Sequence, residues 1–477
     1  MDIFPLDPSA PTTEEALGAF LEGIQGRAES LGHGQLVSIS INSKALDPLA
    51  VLELIYEPGE LHFYMERRSD GMALAGAEKA LALKPGDGNR FENAREFIED
   101  TLANTIAVGD SSLPFFGPHF FCGFTFFEEK EESSYFDPAT VFVPKWQVTT
   151  ASGKCVATAS AFIDVESDID SIKNRIWNAN TKFSAFEYSR VDGVQEKSDR
   201  PKWHVESVEG EEDGSAFVEA VEQALAEIGE GAFEKIVLAR SKTFRANQEF
   251  HPLEILNGLR EQYPDCYAFS FANGDGQSFI GASPERLVKL EDSVVKVDVL
   301  AGSAPRGATA TEDARLGSQL LRSEKDQYEH KVVVDSIRRR LHDLGVGAEI
   351  LGSPILKRLS NVQHLYNEIT ANVSEGLDVL QLLKELHPSP AVGGSPRSAA
   401  CQRIRHYENF DRGLYAGPIG WVNSSFEGEF LVGIRSALVD EDLASLYAGV
   451  GIVKGSVAEN ETVETDLKFK ALLESLN

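Results

Sequence analysis

The sequence predicts an α+β fold, because strand-like and helix-like segments are grouped along the chain and do not alternate. Short apolar runs rich in β-branched and aromatic residues follow one another between residues 35 and 165, and again after residue 235. Helical periodicity is confined to a few stretches beside these runs. Regular alternation of strands and helices would instead indicate a doubly wound parallel sheet.

The N-terminal half begins with a predicted helix and continues with predicted strands. Thr13 is a suitable N-cap, apolar residues recur at helical spacing from Leu17 to Leu31, and Gly32 follows as a stop. The strand-like runs after it are LVSISI, LHFYM, HFFCGFTFF, ATVFVP and ATASAFI.

A charged segment poor in apolar residues, residues 189–214, is the best candidate for a linker. Within it, Trp203 and Val205 favour a short strand. We therefore expect an N-terminal segment, residues 1–200, and a C-terminal region, residues 201–477.

In the C-terminal region, a helix is predicted to begin near Ser215 and to end near Gly229. A long helix is predicted from about Thr311 to Leu344, and a final helix from about Glu461. The predicted strands around these helices are KIVLAR, CYAFSFA, SFIGAS, RLVKL, VVKVDVL, FLVGIRSALV and ASLYAGVGIV.

Composition excludes several classes of function. The formal net charge of −30 argues against a nucleic-acid partner, and it requires local positive charge wherever an anionic substrate binds. The acidic N-terminus does not resemble a signal peptide, and no apolar stretch approaches the ~20 residues that span a bilayer. We predict a cytoplasmic protein with no membrane partner, which also fits the wide spacing of Cys122, Cys155, Cys266 and Cys401.

Two pairs of carboxylates lie in helix-like stretches of the C-terminal region. Asp326 and Glu329 are three residues apart, as are Glu461 and Glu464, so each pair occupies one helix face. Four carboxylates inside a fold would repel one another unless a cation lay between them, and Mg²⁺ is the simplest oxygen-binding cation. A solvated helix face is the ordinary alternative for one pair, but the repeated pattern favours a metal site.

Lys235 and Glu285 are candidates for acid–base chemistry. Lys235 begins the run KIVLAR, where it is either a strand-end residue whose amine reaches solvent or a general base. Glu285 lies in GASPERL, in a turn that would keep a catalytic group near solvent. As a general acid it would need a pKa raised by burial or by another carboxylate, and a surface glutamate is the alternative.

Five further residues suit the binding of an anionic ligand. Ser303 lies in the loop LAGSAPRG, whose backbone N–H groups can approach a carboxylate, although such a loop is often only a turn. Arg435, predicted within a strand, needs an anionic partner if it is buried. Gly449 permits close backbone approach, Lys468 lies one helical turn beyond the second carboxylate pair, and His364 would ordinarily be a core histidine.

Together these motifs resemble the chorismate-binding enzymes, and within that family the isochorismate synthases. The match covers roughly residues 210–475 in the family's order: KIVLAR, GASPERL, LAGSAPRG, SEKDQYEH, VQHL, HPSPAVGGSPR, FDRGLYAGPIGW, IRSAL, LYAGVGIVKGS and E-x-x-E-T-x-x-K. In the N-terminal segment only PHFFCGFTFF is similar, to the longer, menaquinone-type members. The resemblance implies two large antiparallel sheets packed as a sandwich, with helices outside and the site in a cleft, and residues 1–200 contributing to the same body.

The resemblance also implies a reaction. In it, the small molecule chorismate is converted reversibly to isochorismate with Mg²⁺, by addition of water at C2 and loss of the C4 hydroxyl. Lys235 would activate the water and Glu285 would protonate the departing hydroxyl. Mg²⁺ would be bound directly by Glu329 and Glu464, and mostly through water by Asp326 and Glu461. The residues implied to line the pocket or contact the substrate are Ser303, His364, Ala391, Arg435, Gly449 and Lys468.

Lyases of the same fold are the nearest alternatives. Where this chain has LAGS they typically have P-I-K-G-T, and Ala391 stands where they carry threonine. Lys235 disfavours anthranilate synthase, which has glutamine there, whereas salicylate synthase shares the lysine. An inactive chorismate-binding relative would lack the base, the acid or a metal ligand, and none is missing.

The pathway and the assembly follow from the resemblance alone. The long N-terminal segment favours menaquinone or phylloquinone biosynthesis over siderophore or salicylate biosynthesis. The relatives imply a monomer.

Overall fold

The computed structural model of the chain describes residues 1–4, 13–86, 88–131, 134–189, 203–208, 214–350, 352–360, 362–374 and 376–476. Its α-helices are α1 (Glu14–Leu31), α2 (Pro48–Leu54), α3 (Arg90–Ala103), α4 (Ile169–Ser189), α5 (Ser215–Glu230), α6 (Pro252–Gln262), α7 (Ala310–Arg322), α8 (Glu324–Asp343), α9 (Val379–Leu386), α10 (Arg397–Tyr407) and α11 (Ala458–Leu473). Its β-strands are β1 (Asp2–Phe4), β2 (Gln35–Ser43), β3 (His62–Arg67), β4 (Met72–Ala82), β5 (Thr105–Val108), β6 (Phe120–Phe124), β7 (Ala139–Ala151), β8 (Lys154–Ile163), β9 (Val205–Ser207), β10 (Lys235–Ala246), β11 (Tyr267–Ala272), β12 (Ser278–Ser283), β13 (Arg286–Glu291), β14 (Val294–Pro305), β15 (Glu349–Ile350), β16 (Ile355–Arg358), β17 (Val362–Asn372), β18 (Gly394–Ser395), β19 (Pro418–Val422), β20 (Gly428–Val432), β21 (Ser436–Asp440) and β22 (Leu443–Val453).

The strands form two layers within one continuous hydrogen-bonded network. One layer runs β17–β14–β13–β20–β19–β6–β7, and the other runs β4–β3–β11–β12–β21–β22–β10. The pairing of β4 with β7 joins the two layers. Among the described strands, β5 pairs in parallel with β1 and β2, and the other pairs are antiparallel. The α+β class and the antiparallel sandwich are therefore confirmed.

Aromatic side chains fill the space between the layers. Phe63 on β3 and Phe121 on β6 stack with ring centroids 4.3 Å apart, and Phe271 on β11 lies 6.1 Å from Phe142 on β7. A Cβ on Gly123 of β6 would lie 3.1 Å from the Phe271 ring, so glycine lets the layers approach closely there. Strands on both sides of residue 200 contribute to each layer, which places the C-terminal strands on a shared core.

Helix ends agree with the sequence where a local capping signal is present. The Thr13 hydroxyl accepts a hydrogen bond from the backbone N–H of Ala16, at 3.4 Å, and Gly32 ends α1 with φ of 75°. α5 ends at Glu230, one residue beyond Gly229, so the predicted end near Gly229 is confirmed. Gly229 lies inside the helix, and Gly231, with φ of 82°, is the residue that takes the left-handed conformation.

The long helix predicted between residues 311 and 344 is two helices. α7 ends at Arg322, Ser323 is extended with φ of −69° and ψ of 116°, and α8 begins directly after it. The Ser323 hydroxyl accepts a hydrogen bond from the N–H of Asp326, at 3.3 Å, and so caps α8. Periodicity continues across the break, which is why the pattern alone predicts one helix. The break places Asp326 in the first turn of α8, against Gly302 of β14.

Most of the linker candidate, residues 189–214, lies outside the described residues. The predicted strand within it is confirmed, because Val205 begins β9 and pairs with Ala246 of β10. Across the part of the chain that the structure describes, helices are too short or too polar to cross a membrane.

Candidate active site

Strands of both layers and the helices α8 and α11 enclose a cavity of about 120 Å³. Its walls come from β10, β14, β17 and β22, from the turn before β13, and from the loop after α9. The predicted site residues that line it are Glu285, Ser303, Asp326, Glu329, His364, Ala391, Arg435, Gly449, Glu461, Glu464 and Lys468.

Lys235 lies just beneath this cavity, at the start of β10. Its side chain is 1% exposed, and its Nζ donates to Glu329 Oε1 at 2.8 Å, so the alternative of a solvent-reaching strand end is wrong. A Cβ on Gly451 would lie 2.3 Å from that Glu329 oxygen and 2.9 Å from Lys235 Cε. Glycine at this position therefore leaves the room in which the amine and the carboxylate meet.

The four predicted metal ligands come from two helices that face the same cavity. Asp326 and Glu329 lie on α8, and Glu461 and Glu464 lie on α11. Burial raises the pKa of Asp326, and the nearby carboxylates of Glu329 and Glu464 raise it further. Burial likewise raises the pKa of Glu461, with Glu464 adding to the effect and Lys325 opposing it. Carboxylates of these two helices therefore raise the pKa of Asp326 and of Glu461, as expected when several carboxylates share one site.

Lysines offset the charge of three of these carboxylates. Besides the Lys235–Glu329 contact, Lys325 donates to Glu461 at 2.6 Å and Lys468 donates to Glu464 at 2.8 Å. Lys325 was not selected from the sequence, although it adjoins Asp326 in SEKDQYEH. The described residues include no group of three His, Cys, Asp or Glu side chains preformed as a metal cluster. By donor type, however, four carboxylates around one cavity fit Mg²⁺.

Arg435, His364 and Ser303 form a connected polar wall. Arg435 Nη2 lies 2.8 Å from His364 Nε2, and His364 Nδ1 lies 3.1 Å from Ser303 Oγ and 3.3 Å from the carbonyl of Gly302. Burial and the neighbouring guanidinium hold the pKa of His364 well below its usual value. The neutral ring therefore accepts from Arg435 at Nε2 and donates from Nδ1. Arg435 Nη1 is buried without a hydrogen-bond partner among the described residues, which suits an anionic ligand.

Arg435 does not lie within a strand, as the sequence predicts, but in the connection between β20 and β21. Its φ of 51° is left-handed, which interrupts the extended run FLVGIRSALV. The interruption has a topological cause, because β20 pairs in one layer and β21 in the other. The chain thus changes layers at the residue that reaches the cavity.

Lys468 and Gly449 face the cavity side by side. Lys468 Nζ donates to the carbonyl of Gly449 at 2.8 Å as well as to Glu464. A Cβ on Gly449 would lie 2.6 Å from the hydroxyl of Tyr415, which itself lines the cavity and was not selected from the sequence. Gly449 therefore lets Tyr415 and the β22 backbone share one wall.

Glu285 lies in the turn between β12 and β13, as predicted, but it is buried, with 4% of the residue exposed. The expectation of a position near solvent is wrong, because the turn joins β12 of one layer to β13 of the other and its glutamate faces the enclosed cavity. Burial raises the pKa of Glu285 to about 8, Asp298 adds to the increase, and Lys235, Lys357 and Arg435 oppose it. A raised pKa favours the protonated carboxyl at neutral pH, and this is the form that can donate a proton within the cavity.

Arg412 holds the loop that brings Ala391 and Val392 to the cavity. Its guanidinium donates to the carbonyls of Val392 and Val237, at 2.9 and 2.8 Å, and to Glu408 at 2.6 Å. Glu408 in turn accepts from the backbone N–H of Ala239, at 2.8 Å. The pair is buried, with side-chain exposures of 1% and 4%.

Replacing Arg412 with methionine should lower the free energy of unfolding by about 3–5 kcal/mol, because Glu408 is left as an unpaired buried charge. Arg403→Ala on α10 is the matched control, since Arg403 pairs with Glu227 near the surface, where an ion pair contributes about 0–1 kcal/mol. Chemical denaturation of both variants measures the difference. Equal losses would contradict the assignment of Arg412 as a structural anchor.

Comparison with known proteins supplies relatives along nearly the whole chain. A family model described as chorismate binding enzyme matches residues 21–477. The isochorismate synthase MenF of Bacillus subtilis is 31% identical over 467 residues, covering 94% of this chain and 95% of that protein. The salicylate biosynthesis isochorismate synthase of Pseudomonas aeruginosa is 44% identical over 257 residues, and the matched part is 54% of each protein.

Solved structures show the same fold. The menaquinone-specific isochorismate synthase MenF of Escherichia coli has a TM-score of 0.74 at 24% identity, covering 96% of this chain and 100% of that chain. Anthranilate synthase component I of Streptococcus pneumoniae has a TM-score of 0.65 at 22% identity, covering 84% and 92% of the two chains.

Proposed function

Because the chain belongs to the chorismate-binding enzyme family, we propose that it is an isochorismate synthase, which isomerises chorismate by adding water at C2 and removing the hydroxyl at C4. The strongest support is the pair formed by Lys235 and Glu285. One is a buried amine beneath the cavity and the other is a buried carboxyl in its wall, so a base and an acid serve one bound ring.

The proposed reaction divides the proton transfers between these two residues. Lys235 takes a proton from water as the new C2–oxygen bond forms. Glu285 gives its proton to the C4 oxygen as that bond breaks and water leaves. Lys235 ends with an additional proton and Glu285 without one. Proton exchange with solvent then restores both groups. In the reverse reaction the same two groups act in the opposite roles.

Binding of the dianionic substrate rests on the cations around the cavity. Arg435, with its unpartnered Nη1, and Lys468 are the proposed partners of the enolpyruvyl carboxylate, together with the backbone of Gly449. His364 accepts a hydrogen bond from Arg435 Nη2 at 2.8 Å and so orients the guanidinium. These positive groups offset the field of a chain with net charge −30.

Mg²⁺ is the proposed cofactor, held by Asp326, Glu329, Glu461 and Glu464. When bound, it would supply positive charge for the ring carboxylate of chorismate and orient the ring. The lysines that now pair with three of the carboxylates would keep the site close to neutral before the ion enters.

The test is to incubate the purified protein with chorismate and Mg²⁺, with and without EDTA, and to identify the products by chromatography and mass. An isomeric product that requires the metal and forms without pyruvate supports the proposal. Pyruvate together with salicylate would assign a lyase instead, and would show that alanine at position 391 does not exclude elimination. Binding without turnover would leave only a chorismate-binding protein.

We also infer that the product feeds menaquinone or phylloquinone biosynthesis, since one match over 94% of the chain is to an isochorismate synthase MenF and the menaquinone-specific MenF of Escherichia coli has the same fold. Loss of the quinone after deletion of the gene, restored by added isochorismate-derived intermediates, is the expected result. Unchanged quinone with loss of a salicylate-derived compound would assign the other branch. We expect a monomer in the cytoplasm, and sedimentation of the purified protein tests its assembly.

The forward rate should fall as pH rises through about 8, because Glu285 must carry its proton and its pKa is raised to about 8. The acid form is present below that pH and lost above it, so the decline is on the alkaline side. A kcat/KM profile measures the decline, and Glu285→Gln should lower kcat/KM by about 100- to 10,000-fold. A Glu285→Gln enzyme that keeps wild-type activity would remove this residue as the acid.

A further inference from the structure

A cluster of polar and charged side chains, most of them buried, lies beside the turn that carries Glu285. Its members are Arg286 of β13, Asp298 of β14, Lys357 of β16, and Tyr366 and Glu368 of β17. The cavity lining does not include Lys357 or Asp298, and the proposed reaction gives neither of them a role.

Lys357 is attached to the turn that carries Glu285. Its Nζ donates to the carbonyl of Pro284, the residue directly before Glu285, at 2.9 Å. The same ammonium lies 3.5 Å from Asp298 Oδ2 and 4.7 Å from the centre of the Tyr366 ring. A charged group that is only 16% exposed is costly to bury, and the shortest contact of this ammonium is with the backbone carbonyl beside the proposed acid.

Asp298 is completely buried and only half satisfied. Its Oδ1 accepts from Arg286 at 2.7 Å and from the hydroxyl of Tyr366 at 3.2 Å. Its Oδ2 has no hydrogen-bond partner in the described part of the chain, and only the longer contact with Lys357. Buried carboxylates in purely structural roles are normally hydrogen-bonded at both oxygens. Asp298 therefore has a buried carboxylate oxygen that no hydrogen bond among the described residues offsets, and this oxygen lies near the ammonium of Lys357.

The electrostatic effects on Glu285 agree with this arrangement. After burial, Asp298 is the largest contribution that raises the pKa of Glu285, and Lys357 acts in the opposite direction. The other charged groups facing Glu285 are Lys235 and Arg435, which also lower its pKa. The more distant groups of the cluster are Arg286, Glu368, Arg67, Tyr267 and Glu429, linked to it through Asp298 and one another.

We propose that Lys357 and Asp298 are positioning residues for the proposed reaction: Lys357 holds the Glu285 turn in place, and Asp298 keeps the Glu285 carboxyl in its acid form. The effects that we expect on turnover rest on the proposed function. A cluster that served stability alone would lower the unfolding temperature when altered, but it would leave the titration of Glu285 where it is.

Two neutral substitutions of similar size separate these roles. Asp298→Asn removes the negative charge, so the alkaline limb of the kcat/KM profile should move to lower pH by about one unit. Lys357→Gln removes the positive charge but keeps a donor for Pro284, so the limb should move to higher pH by about one unit. Because an uncharged amide holds the Pro284 carbonyl less strongly than an ammonium does, kcat of Lys357→Gln should also fall by about tenfold, with KM changed by less than about twofold.

Two further variants complete the set. Lys357→Arg restores the charge and should return the limb to its wild-type position. Lys289→Gln on β13 is the matched control, because Lys289 pairs with Glu291 at the surface, at 2.9 Å, and should change neither limb nor kcat. Displacement of the limb in the same direction by Asp298→Asn and Lys357→Gln, or no displacement in either, would overturn the proposal. If one variant does not fold, a limb that the other leaves unmoved or moves in the wrong direction still overturns it.

A second readout does not depend on turnover. The infrared band of a protonated carboxyl, taken as the difference between each protein and its Glu285→Gln counterpart, titrates Glu285 directly. Opposite displacements of this titration without any isochorismate formed would support the cluster's effect and reject the proposed function. Isochorismate formed by the wild type with an unmoved titration in both variants would reject the cluster's effect and keep the function.

Discussion

Replacing Lys235 with alanine should lower kcat by about 100- to 10,000-fold, while chorismate and Mg²⁺ still bind. The amine is the buried base of the proposed reaction, and its 2.8 Å contact with Glu329 places it directly below the cavity. Lys235→Arg is the sharper variant, because it keeps a positive partner for Glu329 but cannot give up its proton at ordinary pH. Both variants should be inactive for the same reason.

The measurement is isochorismate formation at saturating substrate, with binding of chorismate and Mg²⁺ followed by calorimetry. Lys242→Ala is the matched control from the same strand, since Lys242 pairs with Asp466 at 3.1 Å outside the cavity. Turnover by Lys235→Arg within about tenfold of the wild type would remove Lys235 as the base. Loss of chorismate binding in both variants would make Lys235 a binding residue instead.

Replacing Glu329 with glutamine should raise the Mg²⁺ concentration for half-maximal activity by at least about tenfold. The substitution removes one negative charge from a cluster of four carboxylates, while the amide oxygen still accepts from Lys235. In the wild type, EDTA should abolish activity and added Mg²⁺ should restore it.

Direct binding of Mn²⁺, followed by electron paramagnetic resonance, separates weaker metal binding from slower chemistry. Glu324→Gln is the control, because Glu324 lies on the same helix but is exposed. An unchanged metal titration in Glu329→Gln would reject α8 as a source of metal ligands.

The net charge of the chain repels an anionic substrate, whereas the cations around the cavity would attract it. The whole molecule has a net charge of −30, which repels an anion at long range. Arg435, Lys468, Lys325 and Lys235 surround the cavity or lie just beneath it. With the proposed Mg²⁺ bound, short-range attraction inside the pocket would outweigh the surface field, which is screened beyond about 10 Å at moderate ionic strength.

Local signals in the sequence were sufficient for the element types and for most of the polar residues of the cavity, although not for Lys325 and Tyr415. Thr13 and Gly32 define their helix because a hydroxyl and a left-handed glycine act within one turn. The carboxylate pairs of α8 and α11 could be found because their spacing of three residues places each pair on one helix face. Lys235 likewise begins its strand as its motif predicts.

The sequence by itself determined the fold class, the family and most of the polar residues of the cavity, since each depends on short motifs and their order. The tertiary structure alone decided that Glu285 is buried, that Arg435 lies where the chain changes layers, and that Ser323 separates α7 from α8. It also decided the long-range ion pairs, such as the pair that joins Lys235 to Glu329. Burial and long-range pairing depend on how two sheet layers cover one another, and no local spacing encodes that contact.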